Sequence, residues 1–372
     1  MAGQAEVLLG APKLQNKNLV LESFILATRQ AAKGEFTETT ARKMLDDILR
    51  AAGHRAIATS TIRGFLESWL ASKDASTAAG TARRYRDIIE PFLKSLGERS
   101  ELDLSALTSR DVQAFRDAEL RAGKSNKTAN MAVKTLRIAL NSARRQALIL
   151  TNPGEAIDHL PENSAERGTF TPDEIVQIMG SADSEWRGMI LLGACAGLRI
   201  TDAAQLTWTE IDLERRAIRF KPQKTKSKKK NKLEIPILPD LEEYLLSLPI
   251  RSRRQDTPLF PTLAGKKTTG HNGLSNTFTR LIQHAGIINE AASQPVDGKG
   301  RIVNRYGFHS LRHTFVSLMA NAGVSKELRM KLAGHTSNVH DRYTHHELDT
   351  FRDALADFPR FVQPKGTKRR AP

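Results

Sequence analysis

Residue types that handle phosphate gather between Tyr306 and His346. His309 and Arg312 stand in an H-x-x-R arrangement, His335 follows a glycine, and Tyr343 comes eight positions later. Arginine and histidine bind or protonate a phosphate, and a tyrosine hydroxyl can attack one. Arg199 lies upstream in AGLRITDAAQL, three positions before Asp202. Its planar fork of donors suits two phosphate oxygens at once. The competing reading is a structural Arg199–Asp202 ion pair.

These residues need elements to hold them. Residues 1–57 read as a helical arm: LVLESFILA is one helix candidate, and 36–52 carries Met44, Leu45, Ile48 and Leu49 on one face. From Ser60 to about Leu150 the pattern gives four helices. The second has an apolar stripe through Tyr85, Ile88, Ile89, Phe92 and Leu96, with Pro91 expected to kink or interrupt it. The fourth shows Lys127, Lys134, Arg137, Arg144 and Arg145 opposite its apolar side, and Arg83, Arg84 and Arg86 sit on the second. Residues 153–168 read as a linker. Thr171-Pro172-Asp173-Glu174 then starts a helix, with a Thr cap, proline in the first turn and acids at the positive helix end. AIRFK and KLEIPI are strand-like and enclose the lysine-dense PQKTKSKKKN, which predicts a hairpin with a charged tip. Beyond it the chain is expected to be helical to Phe358, with 359–372 a basic, disordered tail.

Charge narrows the partner. Lys and Arg number 57 against 41 Asp and Glu, a net +16, which favours a polyanion through counterion release. The bland alternatives are a solvated basic surface or a ribosome-associated protein. The single cysteine, Cys195, lies in the apolar run MILLGACAGL and excludes disulfides within the chain. It reads as a small buried residue. No run approaches the ~20 apolar residues of a membrane span, and the first residues lack the order of a signal peptide. The expectation is a cytoplasmic protein, nucleoid-associated when on DNA.

Five stretches in order now resemble the phage integrases, or tyrosine recombinases: Arg199 in AGLRITDAAQLTW, Lys224 in the hairpin, His309-Ser310-Leu311-Arg312-His313-Thr314-Phe315, Leu332-Ala333-Gly334-His335, and Tyr343-Thr344-His345. The resemblance spans roughly residues 57 to 350. It implies a mainly α chain with a small β-sheet: a helical, SAM-like core-binding domain at 58–152 and an α+β catalytic domain at 169–358, closing as a clamp on double-stranded DNA. It implies phosphoryl transfer without cofactor or metal, in which Tyr343 forms a 3′-phosphotyrosyl link. Arg199 and Arg312 would clamp the non-bridging oxygens, His309 act as base, Lys224 as acid, and His335 donate to the phosphate. Lys224 is chosen over Lys226 because QKT ends the first strand before the turn, as in the family. Asp202 would orient Arg199 or brace its helix, and His313 would pack or support from behind. One departure is visible: the His335–Tyr343 interval is one residue shorter than usual, and His340-Asp341 replace the usual Thr-Thr.

Further expectations are contacts to DNA by Arg83, Arg84, Lys127, Lys134, Arg137, Arg144, Lys226 and Lys228, a homotetramer on two DNA sites, and DNA-bending accessory proteins. The segment with Leu348, Phe351, Leu355 and Phe358 packs either on a neighbouring protomer or on its own domain. Three other functions compete. A type IB topoisomerase would use similar chemistry without partner exchange, and a DNA-binding protein without catalysis would not need Tyr343. A metallohydrolase could use His309 and His313, spaced like a zinc pair, but no acid adjoins His309.

Overall fold

The computed structural model describes residues 17–51, 59–162, 168–222, 233–249, 256–293, 303–334 and 348–362. The chain divides into two compact units at Asn163–Ser164. Its fold is mainly α with a small β-sheet.

In the first unit, α1 (Lys17–Ala32) and α2 (Glu38–Ala51) precede four longer-range partners. These are α3 (Ile62–Ser76), α4 (Ala79–Leu96), α5 (Ser109–Arg121) and α6 (Asn126–Arg145). Side chains cap three of the four: Thr61 accepts from the Gly64 amide, Thr108 from Asp111 and Ser125 from Thr128. The apolar stripes supply the core, although of the stripe expected on α4 only Ile89 and Phe92 are buried, while Tyr85, Ile88 and Leu96 are half-buried against it and Leu93 joins them. Ile62, Phe65 and Leu66 of α3 meet Ile89, Phe92 and Leu93 of α4 and Val112 and Phe115 of α5. On α6 alanines join the stripe, with Ala132, Ala139 and Ala143 buried beside Leu136 and Leu140. The arm belongs to this unit: the Leu150 amide donates to Glu38 at 2.8 Å, and Arg42 donates to the Ala147 carbonyl at 2.8 Å.

Two sequence expectations change here. Helix α4 runs unbroken through Pro91. Pro91 and Asp87 are both exposed, so the carbonyl that loses its amide partner faces water, while buried Ile89, Phe92 and Leu93 hold the helix down. Residues 153–162, read as linker, instead lie along α6. Arg137 donates to the Gly154 carbonyl at 2.6 Å and to the Ile157 carbonyl. Asn130 accepts from the Leu160 amide at 2.9 Å and donates to the Leu160 carbonyl at 2.9 Å, and Ile157 is buried in the core.

The second unit opens with α7 (Pro172–Gly180), whose Thr171 and Glu174 form a reciprocal cap, and α8 (Ser184–Ala196), nearly all of it buried. Short α9 (Ile200–Ala204) leads to an antiparallel sheet in the order β1 (Ile211–Asp212), β2 (Ala217–Phe220), β3 (Leu233–Pro236). Strands β2 and β3 pair from Ala217 opposite Pro236 to Phe220 opposite Leu233, as the hairpin pattern predicts. Helices α10 (Pro239–Ser247), α11 (Leu274–His284), α12 (Phe308–Asn321), α13 (Lys326–Leu332) and α14 (Leu348–Ala354) complete the unit.

The sequence reading treated the stretch before α12 as helical. Instead β4 (Ala291–Ser293) pairs antiparallel with β5 (Val303–Asn304). The C-terminal boundary also moves. Phe361 is buried, and Asp240 accepts from Arg360 and from the Phe361 and Val362 amides. Residues 359–362 therefore belong to the folded unit and not to a tail. Phe351, Leu355 and Phe358 are buried in this same core, so this segment packs on its own domain.

Candidate active site

Helices α8 and α12 set the site because they approach closely. A Cβ on Gly193 of α8 would come within 2.9 Å of Leu311 Cδ1 on α12. Gly197 then ends α8 in the left-handed conformation, φ +62, and a Cβ there would lie 2.6 Å from Phe315 Cδ1. The turn aims two things at α12. The Gly197 carbonyl accepts a hydrogen bond from Arg312 Nη1 at 2.5 Å. Two residues later, Arg199 sits at the N-cap of α9.

Helix α12 is fixed from its other side. Thr314 is buried, accepts from the Phe170 amide at 2.8 Å and donates to the Ser310 carbonyl at 2.9 Å. The Ser310 hydroxyl accepts from the Gly307 amide at 3.2 Å. Phe308, Leu311 and Phe315 point into the core. Arg312 is held on a rigid helix with its guanidinium at the Gly197 turn.

The electrostatics are unusual. Arg312 is only 5% exposed, and its Nη2 is buried without a hydrogen bond. Burial, then the charge of Arg199, pulls the Arg312 guanidinium down from the ordinary arginine value to about 10, with Asp202 opposing. Arg199 Nη1 lies 3.7 Å from Asp202 Oδ2, and that carboxylate is almost fully buried. Asp202 is thus the ion-pair partner of Arg199 and acts on Arg312 only through its field. Such a pocket of positive charge with a spare donor suits an anion, and the forked donors suit its oxygens. Arg199 makes the ion pair with Asp202 that the structural reading of this residue expects, and 28% of its side chain stays exposed.

His309 lies on the first turn of α12 and is exposed. One turn on, exposed His313 meets it edge to face, with ring centroids 4.8 Å apart and planes at 89°. Lys224, Lys226, Lys228, His335 and Tyr343 lie outside the described residues. Their flanks are placed. Gly334 abuts β3, since a Cβ there would meet Leu233 Cδ2 at 3.4 Å. The first turn of α14 follows Tyr343 closely in sequence, and Arg352 on that helix donates to the Arg215 carbonyl between β1 and β2.

In the first unit, Arg83 and Arg84 on α4 and Lys127 and Lys134 on α6 are exposed. Arg144 is exposed but pairs with Glu155 at 3.0 Å. Arg137 differs from its expected role. Its donors go to the Gly154 and Ile157 carbonyls, so it straps the 153–162 segment to α6. Sequence reasoning also missed the Gly197 carbonyl as a partner of Arg312. The only signal was a glycine two residues before Arg199 at the end of a fully apolar run.

Residues 169–349 match the sequence profile described as the phage integrase family. No curated protein matches the chain. Among solved structures, a lambda integrase dimer bound to a COC′ core site is similar with a TM-score of 0.57 at 18% identity, over 82% of this chain and 100% of that one. A Tn1549 transposon integrase in complex with transposon right end DNA gives 0.58 at 17% identity, over 80% and 99%. A lambda integrase tetramer bound to a Holliday junction gives 0.55 at 19%, over 78% and 81%. At these identities the likeness is one of fold.

Proposed function

We propose, for a chain whose residues 169–349 belong to the phage integrase family of tyrosine recombinases, that it is a site-specific DNA recombinase that integrates or excises a phage or other mobile element. The observation that carries the reading is buried Arg312, with one guanidinium donor unbonded, within the field of Arg199, whose own partner is the buried Asp202 carboxylate. Both side chains bind the non-bridging oxygens of a DNA phosphate and stabilise the charge that gathers there as phosphorus becomes five-coordinate.

Tyr343 Oη attacks that phosphorus, and its proton passes to His309. A tyrosine hydroxyl near its ordinary value of about 10 holds its proton at neutral pH, so the base is needed. The bond from phosphorus to the 5′ oxygen breaks, and Lys224 protonates the departing oxygen. A 3′-phosphotyrosyl link and a free 5′-hydroxyl remain. His335 donates a hydrogen bond to the phosphate throughout. Attack by the 5′-hydroxyl of a second strand reverses the step on a new partner. The ester conserves the bond energy, so the exchange needs no cofactor.

Duplex DNA is the substrate, held by both units. Arg83, Arg84, Lys127, Lys134, Lys226 and Lys228 contact its backbone phosphates, and four protomers act on two sites. The net charge of +16 supports that partner, and the similar solved structures include integrases on DNA and a tetramer on a Holliday junction. Among the described residues no helix is long and apolar enough to cross a membrane.

The test is to express the wild type and Tyr343→Phe in cells carrying candidate target DNA, denature, and isolate DNA covalently bound to protein. Adducts at one or a few loci in the wild type and none in the variant, with DNA binding retained, are expected. Adducts that persist in the variant overturn the nucleophile assignment. Adducts scattered over supercoiled DNA favour relaxation over recombination.

A further inference from the structure

The chain enters α12 through Arg305, Tyr306 and Gly307, and this entry is held on several sides. The Arg305 amide donates to the Glu290 carbonyl at 2.9 Å, and the Arg305 carbonyl accepts from the Gly168 amide at 3.1 Å. The Asn289 carboxamide accepts from the Tyr306 amide at 2.9 Å and donates to the Tyr306 carbonyl at 3.1 Å. The Tyr306 ring stacks on Phe170, centroids 4.8 Å apart and planes at 22°. The Arg305 guanidinium carbon lies 5.4 Å from the centroid of the same tyrosine ring. Gly168 passes close to both side chains: a Cβ there would strike the Tyr306 ring and come within 3.1 Å of Arg305 Nε. Arg305 is nevertheless exposed, and among the described residues no carboxylate pairs with it. An aromatic ring restrains the plane of a guanidinium and leaves the donors at its edge free. Such a fork fits two oxygens of one phosphate.

We propose that Arg305 binds a DNA backbone phosphate near the one that Tyr343 attacks, with its guanidinium held ready by the Tyr306 ring. The inference rests on the reading of the chain as a recombinase acting on duplex DNA. Position supports it. Arg305 precedes His309 by four residues, so their Cα atoms are at most roughly 14 Å apart. One strand carries a phosphate about every 3.4 Å along the axis, so the contact falls within about four nucleotides of the cleaved bond. A phosphate is favoured over a base because the segment leads directly into the helix whose Arg312 is assigned to the backbone, where most protein–DNA hydrogen bonds are made. The contact positions the strand and carries no sequence preference. Lysine cannot replace Arg305, because its ammonium is a point charge without the planar fork.

The experiment is equilibrium binding of the full-length protein to mixed-sequence DNA duplexes over a range of salt concentrations. The variants are Arg305→Ala, Arg305→Lys, Tyr306→Leu and Tyr306→Phe. Arg305→Ala is expected to reduce the slope of log affinity against log salt by about 1. It should weaken binding about eightfold at roughly 0.1 M salt, the factor contributed by one released counterion. Arg305→Lys keeps the slope, since the charge stays, and binds about twofold to fivefold less tightly. Tyr306→Leu shows a similar loss at the wild-type slope, and Tyr306→Phe, which keeps the ring, binds like the wild type. An unchanged slope in Arg305→Ala overturns the proposal, and so does Arg305→Lys binding as tightly as the wild type. A loss in Arg305→Ala that appears on some sequences only also overturns it, because Arg305 would then read a base edge. If Tyr306→Leu unfolds, the two Arg305 variants decide the matter, since they alter an exposed side chain. The recombinase reading fails separately: Tyr343→Phe would then form the same covalent adducts as the wild type, whatever the slope of Arg305→Ala.

Discussion

Arg312→Met tests whether the buried guanidinium serves chemistry or the fold. The site pulls Arg312 from the ordinary arginine value down to about 10, and each tenfold change in proton affinity is worth about 1.4 kcal/mol. The folded state therefore disfavours the charged group by roughly 3 kcal/mol. From about pH 10 up to the ordinary arginine value the unfolded chain holds more of the proton, so this penalty is complete below about pH 10 and disappears only as pH rises through that window. At neutral pH it acts in full. Methionine removes it and keeps most of the volume. The substitution also deletes the bond to the Gly197 carbonyl, and a charge-assisted bond contributes about 1.5–3 kcal/mol. The two effects nearly cancel, so unfolding free energy in urea should change by about 1 kcal/mol or less. Truncating an ordinary core side chain costs about 2–5 kcal/mol. Cleavage should fall by about 100- to 1000-fold, the usual loss for one donor to a developing oxyanion. Inorganic phosphate or vanadate should raise the melting temperature of the wild type and leave that of the variant unmoved. A variant destabilised by more than about 3 kcal/mol in the absence of anion would refute the reasoning, because Arg312 would then be part of the scaffold.

Other perturbations separate scaffold from site. Gly197→Ala places a Cβ 2.6 Å from Phe315 at a φ of +62, so it should destabilise by about 2–4 kcal/mol and lower cleavage further by displacing the Arg312 acceptor, as read by urea unfolding and suicide-substrate assay. Arg137→Ala should lower the stability of the first unit and leave the salt dependence of DNA binding alone, whereas exposed Lys134→Ala should reduce that salt slope by about 1. Asp240→Asn weakens the hold on Arg360 and on the Phe361 and Val362 amides. It should destabilise by about 2–4 kcal/mol and expose the C-terminal residues to carboxypeptidase, as followed by mass spectrometry.

The helices were legible wherever one apolar stripe met one core: Ile62, Phe65 and Leu66, or Ile89 and Phe92, need no partner identified in advance. Pro91 misled because its cost depends on what surrounds the freed carbonyl. Here that carbonyl is on the wet side of α4. Residues 153–162 looked like linker because their attachment is made by Arg137 and Asn130, side chains far away in sequence. Strands β4 and β5 are short and few of their residues pair, too little for an alternating pattern to register. Of the expected site residues the structure describes Arg199, His309 and Arg312, which sequence order alone singles out. The site's electrostatics were not legible, because Arg199 and Arg312 are 113 positions apart in sequence and meet only when Gly197 turns the chain against α12.

A buried cation with an unbonded donor is a poor way to stabilise a protein, and its surroundings explain how it is tolerated. Helix α8 is almost entirely apolar and buried, and α12 presents Leu311 and Phe315 to it across Gly193 and Gly197. Fully burying a large apolar side chain contributes about 1.5–3 kcal/mol, so two or three such contacts offset what Arg312 costs. The same contacts set the spacing of the two guanidinium groups, because neither helix can move without opening a cavity or a clash. The dense packing beside the site therefore has two consequences. It keeps the fold stable with the cation in place, and it fixes the Arg312 guanidinium against the Gly197 carbonyl. A donor already aimed and already dehydrated gives up little on binding and gains most when charge builds on the oxygens. Under the proposed function, the dehydration that costs stability at Arg312 is what would strengthen its hold on charge gathering on a phosphate.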